Sequence, residues 1–272
     1  MVKKTLSKNK FKISETNLKT SITKVEPNKI ITRGYSQAEL IEKLSFSDMI
    51  FLLLKGNLPT KKQSKIFQHV LVSFADHGIT PPSTQTAKII ASSGSPLNNA
   101  VAGGLLSFGK NHAGAIKNSM DLFQNKIKNL NTDIEDENKL LAKLAIDIVN
   151  EYSEKKLKIP GFGHRYHNKD PRANKLLELV IEEGFIGTHV KLAIVLDNLL
   201  SDKKNIHLNV DGINGAILSD LGFDSDLGLG VFMIGRMPGL IAHSYEEMIK
   251  EEDFRKFVEL DDIEYEGADF TQ

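Results

Sequence analysis

Apolar residues recur at helical spacing along most of the chain, and glycine or proline punctuates the runs. Lys29–Thr32 reads as a short extended segment. Ser36 with Glu39 forms a capping-box pattern ahead of Leu40, Ile41 and Leu44, and Ser45 with Asp48 starts a second helix that stops at Gly56 and Pro59. Thr60 with Gln63 opens a third, carrying Ile66, Phe67, Val70, Leu71 and Phe74 and ending at Gly78. Pro81 and Pro82 break the pattern, which resumes over 83–93 and ends at Gly94. Ser95-Pro96 then reads as an N-cap followed by proline at the first helical position. The helix it begins holds Ala100-Val101-Ala102-Gly103-Gly104, small residues that suit a close neighbour, at the centre or at a subunit interface.

Residues 131–137 are polar and acidic, as a loop would be, and Leu140, Leu141, Leu144, Ile148, Val149 and Tyr152 outline a long amphipathic helix beyond them. Further helical patterns carry Leu176, Leu177 and Val180 up to Gly184, then Val190, Ile194, Leu199 and Leu200. The last three run over 210–221, over 228–237 and, restarting at Pro238, to Ile249. About ten helices, almost no strands and no internal repeat predict an all-α fold of packed antiparallel pairs.

The stretch 160–172, Pro-Gly-Phe-Gly-His-Arg-Tyr-His-Asn-Lys-Asp-Pro-Arg, departs from that pattern. Pro160, Gly161 and Gly163 oppose regular structure, and Pro171 biases Asp170 away from helix. The resulting loop concentrates His164 and His167, which can exchange protons near neutral pH, with Arg165 and Arg172, whose guanidinium forks suit carboxylates. An anionic substrate and a proton transfer are the chemistry these side chains serve, against the plainer alternative of a solvated surface turn.

Composition narrows the options. Thirty-five basic residues balance 35 acidic ones among 272, so nothing in the overall charge calls for nucleic acid or an anionic membrane. The ends differ: lysines 3, 4, 8, 10 and 12 make a basic start, and Glu259, Asp261, Asp262, Glu264 and Glu266 an acidic finish. With no cysteine, disulfides, thiolate metal sites and cysteine nucleophiles are excluded, which fits a reducing cytoplasm. The apolar runs are too short to cross a bilayer, and the start of the chain lacks the apolar stretch of a secretory signal. A soluble protein is expected.

Several local patterns fall short of the motifs they approach. Gly104 to Lys110 has phosphate-loop spacing, but Asn111 replaces the metal-binding hydroxyl and no strand precedes it. Gly161-Phe162-Gly163 lacks the third glycine of a dinucleotide fingerprint, and His164 with His167 lacks a partner at diagnostic metal-ligand spacing. Four places keep a functional reading. His77, between Asp76 and Gly78, falls at a helix end, where it could equally meet terminal carbonyls. His112 stands among small residues that let a ligand approach. Asp211 begins a helix, where it could be a plain N-cap. Arg236 lies between apolar helices, where an unpaired charge is costly and an anionic partner would explain it.

In order, His77, His112, His164, Arg172, Asp211 and Arg236 resemble the citrate synthase superfamily over most of the chain. Arg33-Gly34-Tyr35 with Leu53 to Pro59 looks like the family's N-terminal segment, and Asp76-His77-Gly78 like its oxaloacetate-binding histidine motif. His112-Ala113-Gly114-Ala115 matches its first catalytic histidine motif with one glycine changed to alanine. Gly161-Phe-Gly-His-Arg with Asp170-Pro171-Arg172, Val210-Asp211, and the run Arg236 to His243 complete the series. The chain is shorter than typical citrate synthases, its interval from His164 to Arg172 is one residue shorter, and the family's late arginine-proline motif is not recognisable, with Arg255 a possible replacement. Asp76-His-Gly-Ile-Thr-Pro-Pro82 and Gly163-His-Arg-Tyr-His-Asn-Lys-Asp-Pro-Arg172 look more like stand-alone citryl-CoA lyases, which also resemble the C-terminal module of ATP-citrate lyase.

The resemblance implies a citrate synthase-like helical fold with a large domain from 1–111 and 208–272 and a small one from 112–207. It implies cleavage of citryl-CoA to acetyl-CoA and oxaloacetate. His112, His164 and Asp211 would be catalytic, His77, Arg172 and Arg236 would bind carboxylates, and Gly161, Phe162 and Gly163 would lie along CoA. No metal and no cofactor beyond the CoA thioester is implied. A homodimer or larger homo-oligomer is expected, and a citryl-CoA synthetase is a possible supplier of substrate. A short citrate synthase, or a non-catalytic binder of CoA or tricarboxylates, are the alternatives.

Overall fold

The computed structural model describes residues 18–128, 136–165, 167–256 and 258–268, so all but the end of the expected 131–137 loop lies outside the described residues. Its tertiary contacts divide the chain into two units, 1–58 and 59–272.

The first unit holds the strands the hydrophobic pattern largely missed. β1 (Thr23–Glu26), β2 (Lys29–Thr32) and β3 (Tyr35–Ser36) form an antiparallel sheet in that order. Two-residue turns close both hairpins: Asn28 has φ 62°, and Arg33 and Gly34 have φ 50° and 88°, the left-handed pair that matches strand twist. Strands this short and exposed carry too little alternation to be read from pattern alone. Helix α1 (Gln37–Lys43) starts after Ser36, but the Ser36 side chain makes no cap bond, so the expected capping box does not form through it. Helix α2 (Phe46–Lys55) is capped as expected, by Ser45 accepting from the Asp48 N–H and by Gly56 at φ 83°. Arg33 donates from Nη2 to the Leu53 carbonyl at 2.7 Å, which joins the two halves of the N-terminal motif.

The second unit is helical apart from isolated bridges: α3 (Lys61–Phe74), α4 (Pro82–Ser92), α5 (Leu97–Leu106), α6 (Gly114–Lys128), α7 (Glu137–Glu154), α8 (Pro171–Glu182), α9 (Thr188–Lys204), α10 (Val210–Asp220) and α11 (Asp226–Lys250). Thr60 and Gln63 form the complete capping box before α3. That helix stops at Phe74, short of Gly78, so His77 lies on a loop. Pro96 is the N-cap of α5 and not its first residue. The α5 glycines serve close packing: a Cβ on Gly104 would stand 2.9 Å from the Ser83 carbonyl of α4.

Helix α10 is buried from Gly212 to Ser219 and packs on α3, α6, α8 and α9. The expected break at Pro238 does not occur, because α11 runs through it for 25 residues. Proline denies the Ile234 carbonyl its usual donor. Packing of α11 on α3, α4, α5 and α6 holds the helix together across that defect, and Val231 and Leu240 on either side are fully buried. No helix among the described residues is long and apolar enough to cross a membrane.

Candidate active site

Five segments of the second unit converge on one cleft. The 160–172 loop lies against the start of α10: Asn209 N–H donates to the Gly161 carbonyl at 2.9 Å, Gly163 N–H to the His207 carbonyl at 2.7 Å, and Asn209 Nδ2 to the Gly163 carbonyl at 2.7 Å. Gly161 has φ 84° and leaves room for nothing larger, since a Cβ there would stand 2.5 Å from Gly212 Cα. The buried carboxylate of Asp170, 1% exposed, ties the loop's end to two helices. It accepts from the N–H and Nε of Arg172, both at 3.0 Å, from Arg172 Nη2 at 2.9 Å, and from the N–H of Val210 at 3.1 Å.

That loop brings His164 to His77, with ring centroids 5.6 Å apart, and sets His167 beside His164, with centroids 4.6 Å apart and the rings tilted by 31°. One nitrogen from each ring lies within 4.8 Å of the others, a grouping that spacing along the chain did not reveal. The surroundings suit an anion better than a cation. Burial lowers the pKa of His77, and the charges of Arg172, Arg236 and His164 lower it further; the same field repels a dication. His164 Nδ1 accepts from the His167 N–H at 3.2 Å, so its neutral ring carries the hydrogen on Nε2. Burial lowers its pKa too, against the opposing charge of Asp170.

His112 sits on a tight loop closed by Gly109 N–H to the His112 carbonyl at 2.8 Å and by the return bond at 3.1 Å. Ala113 follows at φ 67°, where glycine would be unstrained. The His112 Nε2 lies 2.9 Å from Ser83 Oγ, and Phe108 packs edge-on to the ring at 5.3 Å. Burial, followed by the charges of Arg236 and Arg165, lowers the His112 pKa. Ser83 is fully buried at the start of α4; within a run of serines and threonines it had no sequence signal of its own.

Asp211 is not the helix cap. Asn209 fills that place by accepting from the N–H groups of Asp211 and Gly212, both at 3.0 Å. The Asp211 Oδ1 is sealed from water with no hydrogen-bond partner among the described residues. Burial raises its pKa to about 6, opposed by Arg172 and Arg236 and assisted by Asp170. Arg236, 3% exposed, donates from Nε to the Phe74 carbonyl at 2.8 Å and lies 5.3 Å from the Phe232 ring. Its Nη1 is buried with no partner among the described residues. Arg255 does not line this cleft; from beyond the end of α11 it pairs with Glu247 and Glu251.

These groups line a cleft of about 750 Å³ that includes His77, His112, His164, Arg172, Asp211 and Arg236. A second cavity of about 490 Å³ adjoins it through residues 163–165. Its wall is apolar, with Tyr152, Leu157, Phe162 and Ile206, and Lys158, Arg165 and Lys204 are set into it. Phe162 and Gly163 line this cavity, whereas Gly161 faces α10.

An α-helical protein with a cationic cleft, neutral imidazoles and one protonatable carboxyl is thus the class that fold and site define. The family model "Citrate synthase, C-terminal domain" matches residues 14–73 and 61–256, and the chain belongs to the citrate synthase family. Among curated relatives, a citrate synthase of Heyndrickxia coagulans is 29% identical over 221 residues, 79% of this chain and 56% of its own length. The chain thus spans about half the length of the first curated relatives it matches. Among solved structures, citryl-CoA lyase from Hydrogenobacter thermophilus is 39% identical with a TM-score of 0.84, covering 94% of this chain and 97% of that one. An ATP citrate lyase from Methanosaeta concilii, solved with (3S)-citryl-CoA, shares the fold at a TM-score of 0.78 and 23% identity over 94% of this chain and 42% of its own.

Proposed function

We propose that this protein is a citryl-CoA lyase that cleaves citryl-CoA to acetyl-CoA and oxaloacetate. The observation that carries the reading is the Asp211 carboxyl, whose Oδ1 is buried without a partner among the described residues and whose pKa is raised to about 6, in a cleft shared with His112 and His164. Cleavage moves the hydroxyl proton of citryl-CoA to His164 Nδ1, which gives up the His167 N–H for it, as the bond between the carbinol carbon and the thioester methylene breaks. The electron pair passes to the thioester as an enolate, whose oxygen is held by His112, and Asp211 in its acid form protonates the carbon to give acetyl-CoA. In the condensing direction the same groups exchange roles. Ser83 orients His112, and the His167 N–H holds His164 Nδ1 until substrate takes its place.

The two free carboxylates of the citryl group go to Arg236, to His77 and to the Arg172 edge that Asp170 leaves open. The adjoining apolar cavity takes the CoA moiety along Phe162 and Gly163, with Lys158, Arg165 and Lys204 toward its phosphates. Gly161 contributes by letting this loop pack on α10. Closure of a small domain, 112–207, on a large one from 1–111 and 208–272 would exclude water from the enolate. The reading extends to a homodimer in the cytoplasm, supplied by a separate citryl-CoA-forming enzyme. Condensation followed by thioester hydrolysis, the second reading, is favoured by the citrate synthases among the relatives.

Purified protein with synthetic citryl-CoA separates the readings. Equal amounts of oxaloacetate and acetyl-CoA are expected; free CoA with citrate would instead support the synthase, and binding without turnover would support a sensor.

A further inference from the structure

Helix α11 grips the segment that presents His77 at successive points along one face. A Cβ on Gly235 would lie 2.8 Å from the Phe74 Cβ, so the helices touch there without side-chain padding. One residue on, Arg236 Nε donates to the Phe74 carbonyl at 2.8 Å. Gly239 lies under the Ala75 carbonyl, where a Cβ would approach to 2.3 Å. A turn later, His243 Nε2 lies 3.0 Å from Asp76 Oδ1, and Asp76 Oδ2 accepts from the Gly78 N–H at 3.1 Å. His77 therefore sits inside a turn that the Asp76 carboxylate closes onto the Gly78 N–H. Asp76 is exposed, and such a pair contributes little to global stability. What it restricts is the swing of the 75–78 loop.

We propose that His243 and Asp76 are a positioning pair for His77, setting substrate affinity by holding that imidazole toward Arg236 without touching the reacting atoms. The proposal rests on the assignment of His77 as a carboxylate ligand in citryl-CoA cleavage. His77 would supply binding energy equally to bound substrate and transition state, so loosening it raises KM and leaves kcat in place.

The test compares wild type, His243→Ala and His243→Gln by steady-state citryl-CoA cleavage, by calorimetric oxaloacetate binding and by thermal melting. His243→Ala is expected to raise KM and the oxaloacetate Kd about five- to tenfold, with kcat within about twofold and Tm within about 2 °C. His243→Gln, whose amide still donates to Asp76, should recover most of the affinity. Unchanged KM and Kd in His243→Ala, or an equal fall in kcat, would overturn the proposal, as would failure of the wild type to bind oxaloacetate. If the wild type binds oxaloacetate but does not cleave citryl-CoA, the lyase reading fails and the binding measurement still decides the positioning pair.

Discussion

Two buried charges on α11, about three turns apart, were treated in opposite ways. Glu247, 2% exposed, is fully occupied by the chain itself: Lys88 reaches it at 2.6 Å, and Arg255 binds it from Nε at 2.5 Å and from Nη2 at 2.9 Å. Burial alone would raise its pKa, but those hydrogen bonds hold it below the usual carboxylate range. Arg236 is as deeply buried and keeps one nitrogen without a partner, facing a cleft whose aspartate is also unsatisfied. A buried charge paired internally ties elements together, in this case α4, α11 and the segment after it. One left unpaired is a cost the fold carries for a ligand.

The sharpest break in this comparison is expected at Asp211. Asp211→Asn should lower the cleavage rate by about 1,000-fold or more, about 4 kcal/mol, with substrate affinity within a few-fold in single-turnover and binding measurements. The same substitution should stabilise the protein at neutral pH. A carboxyl raised from 3.8 to about 6 loses stability as pH climbs through that interval, a cost of about 3 kcal/mol above it that asparagine does not bear. Denaturant melts at pH 7 should therefore favour the variant, and the advantage should vanish below pH 3.8. In the wild type, kcat/KM for cleavage should fall as pH rises above about 6, because the acid form is depleted, whereas condensation should rise over the same range.

The paired side of the comparison should respond the other way. Glu247→Gln leaves Lys88 buried without its counter-charge and should destabilise by about 3–5 kcal/mol by chemical denaturation, with kcat unchanged in the protein that remains folded. Arg236→Gln should raise KM by about 30-fold, about 2 kcal/mol, with unliganded stability equal to or above wild type. An unliganded loss as large as that of Glu247→Gln would show that Arg236 is paired after all. The smallest effect tests strain beside the site. Ala113→Gly should stabilise by up to about 1 kcal/mol, read as a small rise in Tm, because Ala113 holds φ 67°.

Much of this was legible in short stretches of chain. Ser45 with Asp48, Thr60 with Gln63 and Gly56 set their helix ends through bonds spanning three or four residues, and the 160–172 loop followed from its glycines and prolines. The six site residues were named in chain order, and the structure places all six along one cleft. The readings that failed were those in which a local rule met packing from elsewhere. Pro238 should have ended a helix, yet α11 continues because its neighbours bury it on both sides of the proline. Ser36 has a capping pattern without the side-chain bond, and Asp211, read as a possible cap, yielded that place to Asn209.

What the sequence by itself determined was the helical character of the chain, the positions of most turns and the kinds of side chain available for chemistry. These depend on backbone preferences and on periodicity, which act over a few residues. Only the tertiary structure decided that His77 meets His164 and His167, that Ser83 holds His112, that Asp170 joins Arg172 to α10, and that Asp211 and Arg236 lose water without gaining enough partners. Burial and electrostatic field are properties of segments brought together from distant parts of the chain. No window of neighbouring residues contains them.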